Sequence, residues 1–156
     1  MRRLTAALTM VFGLTALALA QTPAPTNMDI LRQKVKADKK LVVAENLKLT
    51  EAEGAKFWPV YDAYQKEIQQ INERLKAVVL AYADAYNKGP VTDAAAKKLI
   101  EDASAVDDAE ATLRRTSLPK ILAVLPAAKA ARYVQIENKI RAVIRYELAA
   151  GIPLVQ

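Results

Sequence analysis

The chain has 156 residues, with 23 Lys and Arg against 17 Asp and Glu for a net charge of +6, and it contains neither histidine nor cysteine. That absence removes the ordinary zinc, copper and haem ligands, the commonest general base, the thiol nucleophile and any disulfide together. No glycine-rich phosphate loop is present either, so the sequence reads as a non-enzyme with no catalytic residues and no cofactor.

The N-terminus carries an export pattern. Arg2 and Arg3 form a positive start, Leu4 to Ala18 is almost wholly apolar or small, and Ala18-Leu19-Ala20 supplies small residues for a signal peptidase. Residues 1–20 are therefore expected to be a signal peptide cleaved near Gln21, and the mature protein to be periplasmic or otherwise exported. A membrane anchor is the competing reading, but the run falls short of the ~20 residues a spanning helix needs, and Gly13 interrupts it. Without Arg2 and Arg3 the basic residues number 21 against 17 acids, so the mature chain carries +4. Residues 21–27, with Pro23 and Pro25, read as a flexible leader.

A single helical domain is expected over 28–150. Only 4 glycines occur in the whole chain, and Ala, Leu, Lys, Glu and Gln dominate. The first helix is predicted over Met28 to Asn46, with Leu31, Val35 and Val42 on an imperfect apolar stripe. Leu47-Lys48-Leu49 breaks that pattern. Thr50-Glu51-Ala52-Glu53 is a capping box, in which the threonine hydroxyl accepts from the Glu53 amide and the carboxylate reaches back to the cap. The second helix then carries Phe57, Tyr61, Tyr64, Ile68, Ile71, Leu75, Val78, Tyr82 and Tyr86 at spacings of three and four. Pro59 should kink it. Unbroken to Tyr86, it is about 55 Å long at ~1.5 Å per residue.

Asn87-Lys88-Gly89-Pro90 stops that helix, and Thr92 caps a third, whose inner face uses Ala95, Leu99, Ala103, Val106, Ala109 and Leu113. Pro119 predicts a break or kink near Ser117. Pro126 is placed in the first turn of the last helix, where its missing N–H costs nothing. Tyr133, Ile136, Ile140 and Val143 form that helix's face, and Gly151 and Pro153 end it, leaving 151–156 as a tail. The architecture is all-α, four helices whose short turns favour antiparallel neighbours.

Two features carry chemistry. Phe57, Tyr61 and Tyr64 share one helical face, with Trp58 about 100° away. They read either as core or as an exposed patch that receives a partner chain. Charge is also divided: Glu101, Asp102, Asp107, Asp108 and Glu110 occur with no base between them, whereas Arg114 to Arg145 holds eight bases and one acid, Glu137. The segments either face one another or leave a basic surface that attracts unfolded or acidic polypeptides or anionic lipid headgroups. Asp107, Asp108 and Glu110 lie on a predicted helix rather than on a calcium-type loop, so no metal site is assigned. Nucleic acid is not expected as a partner, since the chain is read as exported and carries no recognition motif.

Leu49-Thr50-Glu51-Ala52-Glu53, opening a helix after a short leading helix, resembles the LTxxQ motif of the Spy/CpxP-like periplasmic proteins. A second, weaker copy stands at Leu125-Pro126-Ala127-Ala128-Lys129, and the resemblance covers roughly Glu45 to Leu148. Glu53 replaces the first glutamine, Pro126 the second threonine and Lys129 the second glutamine. Glu53 can still reach back to its cap; Lys129 cannot.

The resemblance implies a thin helical cradle with a long antiparallel hairpin. It implies a homodimer that holds unfolded or partly folded envelope proteins without ATP. Some relatives instead restrain an envelope stress-sensing kinase, so a sensor-domain partner is the alternative. An envelope protein binding anionic surfaces is a third reading. The residues expected to touch clients are Phe57, Trp58, Tyr61 and Tyr64 as apolar anchors, and Arg114, Arg115, Arg132, Arg141 and Arg145 as electrostatic attractors.

Overall fold

A computed structural model describes residues 38–155. The elements among them are all α-helices: α1 (Lys39–Leu47), α2 (Glu51–Asn87), α3 (Asp93–Leu122) and α4 (Ala127–Gly151). The expected signal peptide and leader, and residues 28–37 of the expected first helix, lie outside the described residues.

Local signals explain most boundaries. Asp38 is extended, and its Oδ1 accepts from the Leu41 amide at 2.9 Å, so α1 starts at Lys39 and does not run unbroken from Met28. An aspartate that bonds its own backbone three residues on competes with helix continuation. Lys48 ends α1 in the left-handed region at φ 48°, a conformation that costs a non-glycine residue roughly 1 kcal/mol. The capping box forms as expected: the Glu53 amide donates to Thr50 Oγ1 at 3.3 Å, and the Thr50 amide donates to Glu53 Oε2 at 2.8 Å. Gly89, at φ 124°, turns the chain after α2, where a side chain would be strained. Thr92 then caps α3 by accepting from Ala95.

Among the described residues, the prolines interrupt no helix. Helical structure continues through Pro59, which is exposed, as is Ala55, whose carbonyl loses its usual donor. Water satisfies such a carbonyl, which is why the position is tolerated. Likewise α3 does not break near Ser117; it passes through Pro119 to Leu122, because Ser117 and Ile121 are both buried and anchor the helix on either side of the ring. Pro126 is the N-cap of α4 rather than a residue of its first turn.

The helices can be ordered from their contacts. Tyr64 and Glu67 of α2 share a groove with Ser117 of α3, and Arg74 Nη2 donates to the Ala105 carbonyl, so positions rise along one helix as they fall along the other. Helix α4 follows α2 in the same direction: Lys129 meets Glu53, Glu137 meets Gln65, and the Tyr82 hydroxyl donates to the Pro153 carbonyl at 2.8 Å. Helix α1 lies across this pair, with Lys39 reaching both Gln65 and Glu137.

The coverage by α1 decides where the core sits. Val42, Val43 and Leu47 pack with Phe57, Tyr61, Ile121, Leu125, Ala130, Tyr133 and Ile140 in one cluster. The apolar stripe of α2 is fully buried only at Phe57, Tyr61 and Tyr64. From Ile68 to Tyr86, beyond the reach of α1, its residues are only half-buried.

Candidate functional site

The segments 49–53 and 125–129 meet. Leu49 packs at the edge of the core, Leu125 is buried, and the helix starts that follow them lie side by side. Lys129 Nζ is 2.5 Å from Glu53 Oε2 and 3.4 Å from the Lys48 carbonyl, the group exposed by the left-handed end of α1. One ammonium thus binds the carboxylate of the α2 capping box and a free helix-end carbonyl. The Lys129 hydrogen bond, then that from the Thr50 amide, holds the Glu53 carboxyl below the usual carboxylate range. Lys129 does not cap its own helix, and Pro126 offers no side-chain cap there.

The aromatic block belongs to the interior. Phe57 has no exposed surface, and Tyr61 and Tyr64 are buried, so these three expected anchors are not on the surface of the folded chain. Edge-to-face contacts link Phe57 to Tyr133 at 5.1 Å and Trp58 to Tyr61 at 5.4 Å, a geometry worth about 1 kcal/mol per pair beyond burial. Trp58 is half-exposed; its indole covers Gly54, where an added Cβ would lie 3.3 Å from Nε1. Lys40 Nζ stands 5.2 Å from the Trp58 ring while also pairing with Asp62 at 2.8 Å.

The divided charges meet in part. Arg145 bonds both Asp107 and Glu110, and Arg141 Nε lies 3.7 Å from Glu110, so two of the five arginines are committed to the acidic segment of α3. Those bonds, to Asp107 first and Glu110 second, raise the Arg145 pKa. Glu101 and Asp102 pair along their own helix with Lys97 and Lys98. Arg114, Arg115 and Arg132 enter no ion pair among the described residues; Arg115 donates only to Thr112 Oγ1. A seam that the sequence did not single out joins three helices: Lys39 donates to Glu137 at 2.8 Å and to Gln65 at 3.0 Å, and Gln65 donates to Glu137 at 3.3 Å. Its one visible sign was Glu137 itself, the lone acid in a basic stretch.

A cleft of about 350 Å³ opens between α3 and α4, walled by Arg114, Arg115, Leu118 and Ile121 on one side and Tyr133, Val134, Glu137 and Asn138 on the other, with Tyr64 also lining it. Burial, then the Glu137 charge, pushes the Tyr64 phenol up to about 12 and raises that of Tyr133 further. The described residues contain no cluster of three or more potential metal ligands and no helix long and apolar enough to cross a membrane. Comparison with protein-family models, curated proteins and solved structures finds no match to this chain.

Proposed function

We propose that this chain is an exported, ATP-independent chaperone-like protein of the periplasm that holds non-native polypeptides. In this reading it is a divergent member of the Spy/CpxP-like group, its α2 and α3 form the long hairpin of the cradle, and two copies work together. The observation that carries the reading is a mixed face on α3. Arg115, Leu118 and Leu122 follow at i, i+3 and i+7, which places them on one side of the helix. Leu118 is 40% and Leu122 47% exposed, and Arg115 has no acidic partner among the described residues. Apolar side chains beside an uncancelled cation suit an unfolded segment, which offers exposed hydrophobic groups and carboxylates together.

The burial of Phe57, Tyr61 and Tyr64 moves the expected apolar contacts from the aromatic block to this face. Light scattering of a chemically unfolded, aggregation-prone client tests the proposal. Suppression near stoichiometric ratios without nucleotide, weaker at high salt, is the expected result. No suppression in either salt, with one stoichiometric envelope protein recovered in a pull-down, would replace the chaperone reading by that of a regulatory adaptor.

A further inference from the structure

The cleft between α3 and α4 contains one polar group that the proposed client face does not use. Arg114 Nε is buried with no hydrogen-bond partner among the described residues and lines this cleft, whereas the Tyr133 hydroxyl faces the Glu137 carboxylate. Buried polar groups are normally satisfied, so an orphan N–H in a cleft requires a cause. Arg114 also lacks an ion pair among the described residues, although Arg141 and Arg145 nearby are both matched. A partly buried guanidinium without a counter-charge is costly, because it has given up water without gaining a carboxylate. Glu137 lines the same cleft but is already engaged by Lys39 and Gln65. The remaining walls are largely apolar, including Ile121, Val134 and the Tyr133 ring.

From these features we infer that the cleft binds a small anionic amphiphile, a monocarboxylate with a short hydrocarbon tail. Its carboxylate pairs with Arg114, and its tail lies along Ile121 and Val134. The guanidinium supplies several donors in a fixed plane, which suits a carboxylate better than a neutral head group. The cleft falls within the size range of small-molecule sites. The cleft shares Arg115 and Leu118 with the proposed client face, but the inference rests on Arg114, Ile121 and Val134, so the titration below and the client-scattering assay can fail independently.

The test titrates the purified full chain with decanoate below its micelle-forming concentration, following the methyl NMR signals of Ile121 and Val134. Saturable shifts at both are expected, with decanol and decyltrimethylammonium needing concentrations at least about tenfold higher, as loss of a charge-assisted bond requires. Arg114→Met should raise the half-saturation point by a similar factor, while Arg114→Lys, which keeps the cation, weakens binding less. Val134→Trp, which fills the cleft and leaves Arg114 in place, should abolish the shifts while the helical circular dichroism is retained. Equal responses to the three head groups, indifference to Arg114→Met, or shifts that never saturate would each overturn the inference. So would binding heat without movement of these methyls, which would place the amphiphile elsewhere on the chain.

Discussion

Lys129 Nζ lies 2.5 Å from Glu53 Oε2, joining the first turn of α4 to the capping box of α2 across 76 positions of sequence. The contact makes Lys129 a partner of the α2 capping box rather than a cap of its own helix. Glu53→Gln preserves the reach-back to the Thr50 amide but removes the charge facing Lys129. Because the folded-state pKa of Glu53 is depressed, its contribution is present above the ordinary value near 4.5 and is lost as pH falls below it. The Glu53→Gln variant should therefore melt below the wild type at pH 7, with the gap closing in acid. In a double-mutant cycle with Lys129→Gln, the double variant should lose less than the sum of the single losses.

Thr50→Ala removes the hydroxyl that accepts from the Glu53 amide. Loss of such a cap costs about 1 kcal/mol. Urea denaturation should show this as a lower midpoint with an unchanged slope.

Phe57 and Trp58 are adjacent in sequence but differ in burial, and their alanine variants separate core from surface. Phe57→Ala empties a fully buried site and should cost about 3–5 kcal/mol, a large share of a typical domain's stability. Trp58→Ala should cost less, since the indole is half-exposed and its loss leaves an open surface rather than a cavity. Chemical denaturation of the two variants side by side measures the difference.

Tyr61, Tyr64 and Tyr133 have raised phenol pKa values, chiefly through burial. The folded state thus favours their protonated forms. Their contribution is complete below the ordinary value of 10 and is lost as pH rises towards the folded-state values, about 12 for Tyr64. Ionisation of these three, followed by ultraviolet absorbance, should coincide with loss of helical circular dichroism in alkali.

What could be read from the sequence was local. The Thr50–Glu53 box, the Gly89 turn and the Thr92 cap each depend on side chains within three residues of the backbone they serve, and each stands where expected. The apolar stripe of α2 was visible, but its depth was not, because burial at Phe57 and its exposure further on depend on how far α1 extends. The break expected at Pro119 does not occur because the residues anchoring α3 on either side of the ring, Ser117 and Ile121, act through tertiary burial. The division of charge was legible as a pattern. Which arginines it would consume was not, since Arg145 finds Glu110 35 positions away while Arg114, much nearer in sequence, does not pair with it.

The most direct measurement compares the wild type with a variant carrying Arg115→Ser, Leu118→Ser and Leu122→Ser in the client-scattering assay, at low and high salt. All three residues are exposed, so the variant should retain its helical signal. The account predicts that the wild type suppresses scattering without nucleotide, less so in high salt, and that the variant loses most of this activity. Equal suppression by the two proteins would contradict the assignment of the α3 face, and no suppression by the wild type in either salt would contradict the chaperone reading itself.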